Sequence, residues 1–103
     1  MNKEVYLNIV GGLRVYDPAA DLAVIASLIS ANANISISKD TIFFGEVGLS
    51  GEVRQVNNMD NRLIEASKLG FKKAIIPKMR KKFTCNMELI ELKHINELKK
   101  ILI

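Results

Sequence analysis

A chain of 103 residues, 49% of them hydrophobic, has room for one small domain with a core and is too apolar for a disordered tail. Its 15 basic and 11 acidic side chains give a net charge of +4, and no run approaches the roughly 20 apolar residues that cross a bilayer, so no membrane span is expected. A single cysteine and a single histidine exclude an internal disulfide and a metal-ligand cluster, which fits a reducing cytoplasm and a soluble intracellular protein.

Residues 4–10 are β-branched and partly alternating and stop at Gly11-Gly12, predicting a strand and a turn; residues 1–4 carry no signal-peptide pattern. Asp17-Pro18 then opens a helix that runs to about Ala33, with Asp17 as N-cap and Pro18 at the first helical position. Leu22, Ile25, Ala26 and Ile29 recur at helical spacing, and Ala19, Ala20, Ala23 and Ala26 keep one flank thin enough to lie close on a sheet. Residues 32–40 form a polar connector, and residues 41–44 the next strand.

Residues 44–54 read as two short strands joined by a glycine-built turn, with Gly45, Gly48 and Gly51 free to take backbone angles that a side chain would forbid. These glycines lack the Gly-Lys-Ser/Thr ending of a phosphate-binding loop and do not lead from a strand into a helix. Asn57 or Asn58 caps a second helix through Leu69, with Met59, Leu63, Ala66 and Leu69 on its buried side and Arg62 three residues from Glu65, close enough to pair; Gly70 ends it. Residues 71–76 read as a core strand closed by Pro77, and residues 87–92 as a weaker alternating strand. His94 stands at the start of a terminal helix over 95–103, in which Ile95, Leu98, Ile101 and Leu102 face inward. Cys85 reads as a small apolar residue.

The blocks Phe44-Gly45-Glu46-Val47-Gly48-Leu49-Ser50-Gly51-Glu52-Val53-Arg54, Asn57-Asn58-Met59-Asp60-Asn61-Arg62 and Lys73-Ala74-Ile75-Ile76-Pro77-Lys78 occur in an order that resembles the C-terminal domain of the bacterial RadA (Sms) DNA repair family. That domain is itself similar to the proteolytic domain of Lon, and the resemblance covers residues 5–78, about three quarters of the chain. It implies an α+β fold in which a mixed β-sheet carries packed helices, of the ribosomal protein S5 domain 2 type. The further N-terminal strands of such a domain are missing from this chain. Residues 1–103 then form a single partial Lon-like domain, without the zinc motif and the RecA-like ATPase that precede it in the family. Such a chain would be a gene remnant, a split gene product or a truncated piece, and missing strands would leave a sheet edge open to self-association.

Lon-type proteases carry a nucleophile in a Pro-Ser-Ala-Gly step and a general base in a Gly-Gly-x-x-x-Lys step. The matching positions here are Ala19, in Pro18-Ala19-Ala20-Asp21, and Arg62. A methyl group cannot attack a carbonyl, and a guanidinium keeps its proton throughout the neutral range, so both halves of a serine–lysine dyad are absent. Ser27, Ser30, Ser36, Ser38, Ser50 and Ser67 have no histidine near them in sequence, and no hydrolytic site emerges.

The resemblance implies a DNA-dependent ATPase that promotes branch migration in recombinational repair, forms a hexameric ring, and keeps its ATP, magnesium and zinc sites in the parts absent here. This chain would need no cofactor and would contribute ring assembly and weak, sequence-independent DNA contact, alone or beside full-length RadA. Residues 71–103 hold nine of the basic side chains and three of the acidic ones, densest at Lys78-Met79-Arg80-Lys81-Lys82. That cluster, with Arg14 and Arg54, supplies the candidate DNA contacts. The same charge density also suits a solubilising face. Two alternatives from other classes are a Lon-family serine peptidase fragment and a non-functional remnant or interaction module.

Overall fold

The computed structural model describes residues 8–10, 13–15, 17–81 and 83–102, the first two segments by backbone alone. In chain order, β1 (Asn8–Val10) and β2 (Leu13–Val15) pair antiparallel, with Asn8 opposite Val15. A 3-10 turn over Pro18–Ala20 leads into α1 (Asp21–Ala33). Strand β3 (Thr41–Phe43) is followed by the antiparallel ribbon of β4 (Glu46–Val47) and β5 (Val53–Arg54). Then come α2 (Met59–Lys68), β6 (Lys73–Pro77), β7 (Glu88–Leu92) and α3 (Asn96–Leu102).

The organising element is a three-stranded parallel sheet in the order β3-β6-β7. Its central strand is buried from Ala74 to Pro77, as a parallel strand covered on both faces must be, and this explains the unbroken apolar run Ala74-Ile75-Ile76-Pro77. Alternate residues feed two cores. Phe43, Ile75 and Leu92 pack with Leu22 and Ala26 of α1 and Leu98 of α3. Ala74, Ile76 and Met87 pack with Met59, Leu63 and Ala66 of α2 on the opposite face. Two helices on one side and one on the other make a three-layer α+β domain.

The caps follow the local sequence. Asp17 accepts a hydrogen bond from Ala19 N–H at 3.0 Å, so the predicted N-cap and leading proline hold, although they start a 3-10 turn before the α-helix proper. Asn34 ends α1 in the left-handed region, and Gly70, at φ +97°, turns the chain after α2. Asn58 occupies the α2 N-cap in a left-handed conformation without a side-chain capping bond.

Several expectations change. The parallel and antiparallel pairings lie in separate sheets rather than one mixed sheet. Gly45 sits between β3 and β4, its N–H donating to Ala19 O and its carbonyl accepting from Leu22 N–H, so the chain leaves the parallel sheet there. Strand β2 is an addition to the expected elements, since three residues carry too little alternation to mark a strand in sequence. Leu69 is 75% exposed rather than buried, since it lies past the last turn of α2. Residues 4–7, the Gly11-Gly12 turn and Ile103 lie outside the described residues.

Candidate functional site

The residues matching the Lon dyad come together. Ala19, Arg62, Asp17, Glu46, Val56 and Asn57 line a cleft of about 170 Å³ between the 3-10 turn, the β4–β5 ribbon and the start of α2. Ala19 is buried at 2% exposure, so its methyl group is part of the cleft wall. Arg62 does not pair with Glu65. Its Nη1 and Nη2 reach the two carboxylate oxygens of Asp17 at 3.2 and 3.5 Å, and its Nε donates to Asn57 O at 2.9 Å. The helical turn carries Arg62 toward the cleft, and Asp17 lies there because it caps the 3-10 turn that holds Ala19. One carboxylate thus binds Ala19 N–H and the guanidinium at once. Chemically the described residues of the cleft offer a fixed ion pair, a methyl group and the Glu46 carboxylate.

Behind the cleft, Asp21 Oδ2 accepts from Val47 N–H at 3.0 Å, fixing the ribbon to the first turn of α1. The partnership of Asp17 with Arg62 spans 45 residues and left no trace in sequence spacing; Asp17 was legible as a cap alone.

The basic candidates fall into three groups. Arg54, exposed on β5, forms an ion pair with Glu52. The hydrogen bond from Arg54 is the largest influence holding the Glu52 carboxyl below the ordinary range, and Glu52 in turn raises Arg54. Arg54 is therefore partly neutralised by its neighbour. Lys78, Arg80 and Lys81 are exposed on the crossover of residues 78–87 that joins parallel strands β6 and β7. Met79, Phe83, Cys85 and Met87 of this segment pack into the core under α2, which confirms Cys85 as a packing residue and turns Arg80 and Lys81 outward. Arg80 and Lys81 line a groove of about 430 Å³ with Gln55, Asn58 and Asn61, opposite the first turn of α2. Gln55 Nε2 also donates to Lys78 O at 2.8 Å, anchoring the crossover to the end of β5. The side chains of Arg14 and Lys82 lie outside the described residues.

His94 sits at the start of α3, as expected, but it is half-buried rather than solvated. Its ring nitrogens meet backbone groups: Nε2 lies 2.8 Å from Ser50 O, and Nδ1 accepts from Asn96 N–H at 3.0 Å. No cluster of three or more potential metal ligands occurs among the described residues. No helix there is long and apolar enough to cross a membrane.

Residues 2–80 match the family model described as subunit ChlI of Mg-chelatase. The chain belongs to this ChlI family. Within that frame it resembles proteins named DNA repair protein RadA. The Aquifex aeolicus RadA is 46% identical over 96 residues, which is 93% of this chain and 22% of that protein. The Rickettsia felis RadA is 53% identical over 78 residues, covering 76% of this chain and 18% of its relative. The Campylobacter jejuni RadA is 51% identical over 74 residues, or 72% of this chain and 17% of that protein. The RadA resemblance read from the residues is thus borne out, and this ChlI-family chain spans about a fifth of the length of the curated relatives it matches.

Proposed function

We propose that this chain is a catalytically silent Lon-like domain, of ribosomal protein S5 domain 2 type, that serves a cytoplasmic DNA repair protein of the RadA kind through subunit association and sequence-independent contact with DNA. The observation that carries the reading is the cleft: Arg62 is spent on Asp17 and Asn57 beside a buried Ala19, where a peptidase needs an amine and a hydroxyl. The repair role rests on the likeness to RadA over most of the chain. ATP hydrolysis, the magnesium and zinc it involves, and a hexameric ring belong to the remainder of a full-length protein. Arg80 and Lys81, pinned by the apolar side of their crossover, are the surface best disposed toward phosphates, with Lys78 beside them.

Fluorescence anisotropy with a labelled duplex tests the DNA contact. Three phosphate contacts imply an affinity loss of about fortyfold between 50 and 200 mM salt, and replacement of Arg80, Lys81 and Lys82 by alanine removes most of the binding at 50 mM. Salt-independent binding, or none at 50 mM, sinks the DNA part. Hydrolysis of an unstructured protein substrate by the unaltered chain sinks the silent part and restores the peptidase reading. Sedimentation at rising concentration tests subunit association, and a monomer throughout removes it from the chain taken alone.

A further inference from the structure

Strand β3 borders the parallel sheet and pairs with β6 on one side only. The ladder shows which of its backbone groups face that neighbour. Lys73 N–H donates to Asp40 O and Phe44 N–H to Ile75 O, so residues 40, 42 and 44 turn toward β6. Thr41 and Phe43 therefore present theirs to the open border. Thr41 N–H donates to Ser38 O, whereas the N–H and C=O of Phe43 find no partner among the described residues. Phe43 is only 8% exposed, and buried backbone groups of this kind are almost always paired. Beside the border lies an apolar groove of about 380 Å³, lined by Ile42 and Phe44 on one side and by Arg62, Glu65, Ala66 and Leu69 on the other.

We propose that the occupant of this groove is the chain's own N-terminal segment, residues 4–7, which straps the β3 border as a fourth strand and pairs with Phe43. The sequence over residues 4–10 reads as one strand, of which β1 holds the last three residues; residues 1–7 lie outside the described ones. Strand β2 cannot serve the earlier part. Its register, continued, would bring Asp17 opposite Tyr6 and Pro18 opposite Val5, and there the chain has entered the 3-10 turn. The hairpin also fixes where the segment joins the fold. Asn8 stands opposite Val15, about 5 Å away, and Val15 is two residues, at most about 7 Å, from Asp17. Asp17 holds Arg62, which lines both the cleft and the groove. From Arg62 to Leu69 the groove follows α2 for about 10 Å, and residues 4 to 7 are about 10 Å apart when extended. A strand beside β3 sends alternate side chains to the face of Ile42 and Phe44, and Val5 and Leu7 are the apolar pair at that spacing. Closing the border also removes it as a template for edge-to-edge pairing between copies.

NMR of the full 103-residue chain tests the strap. Nuclear Overhauser contacts from the Val5 and Leu7 methyl groups to Phe44 and Leu69 are expected in a uniformly labelled sample. They are expected to be absent between labelled and unlabelled copies in an equal mixture. In the double variant Val5→Asp, Leu7→Asp the Phe43 amide should lose about tenfold of its exchange protection, while the Ile75 amide of the central strand keeps its own. Lys3→Ala should leave both amides unchanged. If the double variant unfolds, Ile75 reports it, and the contacts in the unaltered chain decide alone. Absence of those contacts overturns the strap, as does an equally protected Phe43 amide in a folded double variant. Contacts seen only between copies overturn it too, and make a second copy the occupant.

Discussion

Asp17 shows how one side chain acquires two structural duties. Its place before Pro18 makes it a cap for Ala19 N–H, and the remaining lone pairs of the same carboxylate receive Arg62. The guanidinium is 28% exposed and the carboxylate 54%, so the pair sits at the cleft mouth, where solvent screens much of its Coulomb energy. Arg62→Ala is accordingly expected to cost about 1 kcal/mol, through the loss of the pair and of the bond to Asn57 O. Arg62→Lys, which places one ammonium where a planar fork made three contacts, should recover part of that. Urea unfolding of the two variants measures both. Equal stability of Arg62→Ala and the unaltered chain would mean that the ion pair contributes nothing to holding the cleft. Neither Asp17 nor Arg62 announces the other in the sequence, because contact across 45 residues depends on the fold and not on spacing.

Among the helices, α2 buries the most side chains for its length. It covers one face of the parallel sheet with Met59, Leu63 and Ala66, and the β6–β7 crossover closes over its flank. Leu63 is fully buried, so Leu63→Ala should destabilise the domain by about 3 kcal/mol, combining lost transfer energy with an unfilled cavity. The exposed neighbour Ile64, at 41%, should cost well under half as much when truncated. Denaturant midpoints for the two variants test whether this face is a close-packed core. The helical period made α2 readable from the sequence, including its buried Met59, Leu63 and Ala66, and so did the glycine that ends it. Its last residue was misjudged, because periodicity does not tell where a helix stops covering the sheet, and Leu69 falls beyond that edge.

At the scale of the whole molecule, the response to acid is set in part by two surface carboxylates that bind neighbouring groups as anions, Glu97 the backbone leading into α3 and Glu52 the turn and Arg54 of the ribbon. Glu97 is held below the ordinary carboxylate value of 4.5, first by the Lys93 backbone N–H and also by that of His94. Glu52 is likewise lowered, chiefly by its hydrogen bond from Arg54. A carboxyl lowered in the folded state contributes stability that is present above its unfolded value and lost as pH falls through its folded one. The chain is therefore expected to lose stability on acidification below about pH 4.5, and Glu97→Gln to lose less between pH 5 and pH 3. Thermal unfolding across that range measures the difference. Identical acid profiles for the two chains would show that Glu97 is not a source of the acid sensitivity.

The sequence by itself determined what is local: the cap at Asp17, the turn around Gly48 and Gly51, the helix from Met59, the apolar strand ending at Pro77, and the chemical identities at positions 19 and 62. Each depends on residues within a few positions of one another, where backbone sterics and side-chain period leave few choices. Tertiary structure alone decided that strands β3, β6 and β7 run parallel, that Asp17 holds Arg62, that the crossover turns Arg80 and Lys81 outward, and that His94 clips a turn more than 40 residues earlier. Those contacts arise when two faces of a sheet must be covered at once, and burial on both sides acts on residues far apart in the chain without marking the sequence between them.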